Sequence, residues 1–166
     1  MDAITTLAAT LGLHLKALEL KVTTAESCTG GGIAEAITRI AGSSAWFEAG
    51  FVTYSNEQKS AMLAVPEALF AQVGAVSQEV VEAMACGAKA RSGAHFAVAV
   101  SGIAGPDGGS AQKPVGTVWF GYAAGDRVLS ECKCFAGDRA QVREQTVMYA
   151  LEKLVELCVA EIAQRG

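Results

Sequence analysis

The sequence lacks long apolar runs, a basic N-terminal segment and a net positive charge. No stretch of the 166 residues approaches the roughly 18 uninterrupted apolar residues that a membrane-spanning helix needs. The N-terminal stretch MDAITTLAATLGLHLKALEL has no basic region ahead of an apolar segment, so we expect no signal peptide and a cytoplasmic protein. A net charge of −4 argues against a large non-specific nucleic-acid surface but leaves room for a local basic pocket. We therefore expect no membrane and no nucleic acid as a partner.

Paired metal ligands are also scarce. The five cysteines are scattered without a CxxC pair, and the two histidines lie in unrelated segments. Cys132 and Cys134 would place both sulfurs on one face of a strand, but no second pair of soft ligands is evident. We expect reduced structural thiols and no metal site.

What the sequence does contain is an alternation of helix and strand patterns, without an internal repeat or a linker, so we expect one domain over residues 1–166. Helices are predicted at 3–20, at 33–40, at 78–91 after a cap at Ser77, and from Asp138 onward with Gln141 as its capping-box partner. Shorter helices are predicted after an N-cap at Asn56 and after Pro66. Strands are predicted at 22–25, 49–55 and 95–101, and in a hairpin that turns at 125–126.

Interleaved helices and strands followed by a late hairpin predict an α/β fold, a three-layer α/β/α sandwich with a mixed, mostly parallel sheet. In such sheets the loops at the carboxyl ends of parallel strands collect the ligand. Two glycine-rich segments, SCTGGG and GIAGPDGG, follow predicted strands of this kind.

The SCTGGG segment, residues 27–32, combines hydroxyls with glycines just before a helix. Free N–H groups at a helix N-terminus form an anion site, and Ser27 and Thr29 would add hydroxyl donors. A tight turn without a ligand is the alternative. The segment is not a P-loop, because the GxxxxGK[ST] spacing is missing, and it is not a G-x-S-x-G elbow.

Residues 43–59 contain a second set of reactive side chains. A lysine with a pKa lowered by desolvation can activate a serine, and a tyrosine can assist the proton transfer. Ser44 and Lys59 lie on opposite sides of a predicted strand and would meet only if the chain folded back. An exposed lysine beside a capping serine is the alternative interpretation.

Two further segments are candidates for substrate contacts. Ser101 ends a predicted strand, and Asp107 lies in the long loop that follows it. Arg139 and Arg143 are one turn apart at the start of the final helix, where arginine opposes the helix dipole. A phosphate or carboxylate partner would offset that cost, whereas surface pairing with acids such as Glu144 is the alternative.

Several long segments together resemble one known family. TTAESCTGGG, AGSSAWFEAGFVTYSNEQK, GAVSQEVVEAMA, SGIAGPDGGS with KPVGTVWF, and FAGDR look like the CinA C-terminal domain. The resemblance covers nearly the whole chain. It implies hydrolysis of the carboxamide of nicotinamide mononucleotide to nicotinate mononucleotide and ammonia, without a metal or organic cofactor.

The resemblance also implies roles for individual residues. It implies Ser44 as the nucleophile, Lys59 as its base and Tyr54 as an assisting group. The positions that it places around the substrate are Ser27, Thr29, Gly30, Gly31, Ser101, Gly102 and Arg139.

Two alternatives stay open. The chain could be a non-catalytic module that binds a nucleotide or a partner, or the nucleophile could be Ser27 or Cys28 instead of Ser44. The apolar excess and the habit of the family favour a homodimer or a larger homo-oligomer.

Overall fold

The computed structural model describes residues 1–166 and consists of one five-stranded sheet with helices on both faces. The helices are α1 (Ala3–Leu18), α2 (Gly32–Thr38), α3 (Asn56–Leu63), α4 (Ala68–Gln72), α5 (Gln78–Ser92) and α6 (Arg139–Arg165), with a 3₁₀ turn at Ser43–Ala45. The strands are β1 (Val22–Glu26), β2 (Phe47–Val52), β3 (Phe96–Gly102), β4 (Thr117–Ala124) and β5 (Arg127–Cys134). No helix is both long enough and apolar enough to cross a membrane.

The strand order is β2-β1-β3-β4-β5. The first three strands are parallel, with β1 between β2 and β3, whereas β4 and β5 are antiparallel additions at one side. The predicted α/β/α sandwich with a mixed sheet, parallel at its core, is confirmed. Because β1, β2 and β3 run in the same direction, the loops that follow them lie at one edge of the sheet.

The two faces of the sheet differ in side-chain size. On β3, Phe96, Val98 and Val100 pack into the core formed with α1, α2 and α6. The alternate residues Ala97 and Ala99 pack against α5. This period-two alternation of large and small side chains lets α5 lie close to the sheet.

Helix caps agree with the sequence at two of three positions. Asp138 and Gln141 form the predicted capping box of α6, and Ser77 caps α5 through the Val80 N–H. The cap of α3 was predicted wrongly, because Ser55 holds that place and Asn56 is the first helical residue. Ser55 has the extended backbone of a cap, and its hydroxyl accepts from the N–H three residues later.

The strand predicted at 49–55 is shifted toward its N-terminus. It begins at Phe47 and ends at Val52, at the edge of the sheet, where its only neighbour is β1. Residues after Val52 leave the sheet and lead directly into the cap of α3.

Gly87 allows α5 to approach α3 closely. A Cβ at this position would collide with the carbonyl oxygen of Leu63, which is backbone and has little freedom to move. We expect Gly87→Ala to lower the free energy of unfolding by about 1–3 kcal/mol, although alanine is the better helix former. Urea unfolding measures the change. Cys86→Ala, at the exposed neighbouring position, is the control, and its free energy of unfolding should stay within about 0.5 kcal/mol of the wild type. An unchanged unfolding midpoint for Gly87→Ala would contradict the close approach.

Candidate active site

A cleft of about 280 Å³ opens at the carboxyl ends of β1 and β3. It lies between the turn after β1, the segment after β2, the glycine-rich loop after β3 and the start of α6. The chemically active side chains that line it are Ser27, Cys28, Tyr54, Lys59, Ser101, Asp107 and Arg139.

Lys59 lies one turn into α3 and is only 2% exposed. Its Nζ donates to Ser27 Oγ at 3.1 Å and to the Tyr54 carbonyl oxygen at 3.4 Å. Lys59 has no carboxylate partner among the ion pairs of the chain. Burial therefore lowers the pKa of Lys59 below its usual value. A neutral Lys59 amine could accept a proton from the Ser27 hydroxyl at the same short distance.

Cys28 lies beside this pair but has the chemistry of a structural thiol. Burial raises the pKa of the Cys28 thiol to about 11, so very little thiolate exists near neutral pH. Its backbone N–H is of more interest, because it follows Ser27 and donates to no acceptor in another residue. Such an N–H group is available to a ligand in the cleft.

The turn after β1 does not offer the predicted anion site. Glu26 is fully buried, and its carboxylate accepts from Thr29 Oγ1 at 2.6 Å, from the Ile33 N–H at 2.8 Å and from the Ala34 N–H at 3.0 Å. The N-terminus of α2 is thus satisfied by a carboxylate of the protein itself. A second anion would be repelled by Glu26, and it would find these N–H groups already bonded.

Three residues predicted to contact substrate therefore have other positions. Thr29, Gly30 and Gly31 do not line the cleft. Thr29 donates to Glu26, whereas Gly30 (φ 59°) and Gly31 (φ 106°) adopt the left-handed backbone that the tight turn into α2 requires.

Ser44 is also far from the cleft. It is exposed in the 3₁₀ turn before β2, whereas Lys59 follows the opposite end of that strand. A six-residue strand spans roughly 20 Å, and the chain does not fold back across it. The structure thus contradicts the predicted meeting of Ser44 with Lys59, and it places Ser27 beside the lysine instead.

The remaining predicted residues are brought together at the cleft. Arg139 donates from Nη2 to the Tyr54 hydroxyl at 3.0 Å and from Nη1 to the Gly105 carbonyl oxygen at 2.9 Å. Both partners are neutral, and Arg139 forms no ion pair. Ser101 and Gly102 line the opposite wall at the end of β3. Asp107 also lines the cleft but forms no ion pair with Arg139, so the guanidinium has no carboxylate partner.

Glu26 is the functional residue that the sequence reasoning did not identify. Its signal was present in the sequence, since an acid at the last residue of a strand, just before a glycine turn and a helix, is well placed to cap that helix. The hydroxyls and glycines that follow it drew the interpretation toward an external anion.

The fold and the site together define a class of protein. It is a small α/β domain with a buried lysine–serine pair at the carboxyl ends of its parallel strands. The model of the CinA C-terminal domain matches residues 4–158 of the sequence. The chain belongs to the CinA C-terminal domain family.

Relatives of high identity cover most of the chain. Nicotinamide-nucleotide amidohydrolase PncC of Pseudomonas putida is 69% identical over 157 residues, which are 95% of this chain and 98% of that protein. The protein of the same name from Escherichia coli K12 is 59% identical over 145 residues, covering 87% of this chain and 88% of that protein. The crystal structure of competence/damage inducible protein CihA from Agrobacterium tumefaciens superposes with a TM-score of 0.92 at 48% identity, covering 95% of this chain and 96% of that chain.

Removal of the Glu26 carboxylate tests its role in the turn. Glu26→Ala leaves two buried donors and one partly buried donor without an acceptor, and each buried one costs about 1–3 kcal/mol. We therefore expect a loss of about 3 kcal/mol or more in the free energy of unfolding. Chemical denaturation measures the loss. Glu35→Ala, which removes an exposed carboxylate from α2, is the control and should have a much smaller effect. Equal stability of the two variants would show that the buried carboxylate does not hold the turn.

Proposed function

We propose that the protein hydrolyses the carboxamide of nicotinamide mononucleotide, giving nicotinate mononucleotide and ammonia. The observation that carries this proposal is the 3.1 Å contact between Lys59 Nζ and Ser27 Oγ inside the cleft. The two relatives named nicotinamide-nucleotide amidohydrolase supply the substrate class. The cytoplasmic location and the homo-oligomer expected from the sequence stay predictions.

Ser27 is the nucleophile in this proposal and Lys59 is its general base. The neutral Lys59 amine takes the Ser27 hydroxyl proton while Oγ attacks the carboxamide carbon. The resulting ammonium returns a proton to the amide nitrogen, which leaves as ammonia. Water then attacks the Ser27 ester with the help of Lys59, and the nicotinate carboxylate and the free serine are released.

The tetrahedral oxyanion needs a hydrogen-bond donor beside the nucleophile. The Cys28 N–H directly follows Ser27 and has no acceptor in another residue, so it is available for this role. A preorganised backbone N–H of this kind stabilises the charge that develops in the transition state. Ser101 and Gly102, on the opposite wall, are placed to contact the nicotinamide or the ribose.

The phosphate of the substrate is assigned to Arg139. Its guanidinium faces the cleft with only neutral acceptors around it, so a phosphate would be its first anionic partner. Arginine can bind phosphate through two parallel hydrogen bonds. Tyr54 supports the guanidinium through its hydroxyl and holds Lys59 through its backbone carbonyl.

Substitution of single serines tests the assignment of the nucleophile. We expect Ser27→Ala to lower kcat by at least about 10³-fold, because no other hydroxyl contacts Lys59, whereas Ser44→Ala should retain near wild-type rates. The assay follows ammonia and nicotinate mononucleotide from purified protein incubated with nicotinamide mononucleotide. Cys28→Ala serves as a further control for the neighbouring thiol. Binding of the mononucleotide without any ammonia release by the wild-type protein would instead identify a non-catalytic module.

The lowered pKa of Lys59 sets the direction of the pH dependence. Only the neutral amine accepts a proton, and its fraction grows as pH rises through the Lys59 pKa, which lies below the usual 10.5. We expect kcat/KM to rise by about tenfold per pH unit below that pKa and then to level off. A pH–rate profile measures this rise. Ser44→Ala is the control, and its profile should match that of the wild type. A rate that falls as pH rises through this range would contradict Lys59 as the base.

A further inference from the structure

Arg143 lies on α6 one turn after Arg139, and its guanidinium contacts the turn that follows Ser27. Its Nε donates to the Cys28 carbonyl oxygen at 3.1 Å, and its Nη2 donates to the Thr29 carbonyl oxygen at 3.2 Å. Arg143 forms no ion pair and does not line the cleft that contains Ser27. Its charge is therefore committed to two backbone carbonyls of this turn.

These contacts fix consecutive peptide planes. In a planar trans peptide the C=O and the following N–H point in opposite directions. The Ser27 carbonyl accepts from the Gly30 N–H at 3.0 Å, which sets the direction of the Cys28 N–H. Arg143 holds the next two planes through the carbonyls of Cys28 and Thr29. The Thr29 carbonyl also accepts from the Gly32 N–H at 3.1 Å, whereas the Cys28 carbonyl has no donor other than Arg143. The Cys28–Thr29 plane is thus oriented by this one side chain.

The Cys28 carbonyl has no restraint other than Arg143. Gly30 and Gly31 follow it with positive φ angles of 59° and 106°, and glycine has the widest choice of backbone conformations. Glu26 restrains the turn through the Thr29 side chain, not through the Cys28 and Thr29 carbonyls. Loss of Arg143 would therefore release rotation of the Cys28–Thr29 peptide plane, which adjoins the Cys28 N–H, while the fold on either side stays in place.

We propose that Arg143 is a positioning residue for amide hydrolysis, which acts by holding the turn after Ser27 and not by binding the substrate phosphate. The inference rests on the proposed function, in which Ser27 attacks and the Cys28 N–H stabilises the oxyanion. Displacement of such groups by about 1 Å reduces turnover by about 10²-fold, even when the substituted residue does not touch the substrate.

The kinetic test uses two substrates, nicotinamide mononucleotide and the same nucleoside without its phosphate. We expect Arg143→Ala and Arg143→Lys to lower kcat by about 10- to 100-fold on both substrates, with little change in KM. Arg139→Ala is the comparison from the same helix and should raise KM for the mononucleotide alone. Arg91→Ala, an exposed arginine on α5, should leave both constants unchanged. A rise in KM for the mononucleotide in the Arg143 variants, without an effect on the nucleoside, would identify a phosphate ligand and overturn the inference.

Two further measurements separate positioning from a general loss of structure. Guanidinium ion at sub-denaturing concentration should restore part of kcat to Arg143→Ala, because it replaces the missing donor. The rate of Cys28 alkylation, followed by mass spectrometry of its peptide, should rise in both Arg143 variants while their melting temperatures stay near that of the wild type. Arg143→Lys keeps the charge and the stem, so it provides these data if the alanine variant does not fold.

The outcomes distinguish this inference from the proposed function. Wild-type kcat and unchanged Cys28 alkylation in the Arg143 variants would overturn the inference while the deamidase stands. A wild-type protein without turnover would overturn the proposed function and the catalytic part of the inference, and Cys28 alkylation would then decide whether Arg143 holds the turn.

Discussion

The buried carboxylate of Glu26 is the interaction on which the arrangement of the site depends. It is the last residue of β1, and hydrogen bonds from Thr29, Ile33 and Ala34 converge on it. One group therefore joins the strand to α2 and satisfies N–H groups that would otherwise attract an anion from outside. Because Ser27 directly follows Glu26, the strand end, the glycine turn and the serine hydroxyl are fixed together. The negative charge at this terminus also leaves the opposite side of the cleft as the place for an anionic substrate.

Three basic side chains in or beside the cleft have different surroundings, and each set of surroundings suits the role proposed for that side chain. Lys59 is buried without a carboxylate, and burial favours its neutral form, which suits a base. The planar guanidinium of Arg139 suits a fixed anchor for phosphate. Arg143 has a third role, since it donates to the backbone carbonyls of the turn after Ser27. A protein of net charge −4 in this way places one lysine and two arginines in or beside one small cleft.

Much of the fold was predictable because its signals are local. The capping box at Asp138 and Gln141 needs only residues three positions apart, and the short apolar run that predicts β3 spans only seven residues. The cap of α3 was misassigned because Ser55 and Asn56 are both good caps, and only the backbone conformation decides between them. The anion site at the N-terminus of α2 was predicted wrongly for a different reason. The carboxylate that accepts from these N–H groups belongs to Glu26 on β1 and not to the helix itself.

The sequence by itself determined the α/β architecture, the family and the set of polar segments that could carry chemistry. Only the tertiary structure decided which serine meets Lys59. Ser44 is the nearer of the two in sequence, but an extended strand separates it from the lysine, whereas Ser27 is 32 residues away and contacts it. The reason is the parallel pairing of β1 with β2, which places the carboxyl ends of both strands at one edge of the sheet. Strand pairing is a long-range choice, so proximity along the chain does not predict it.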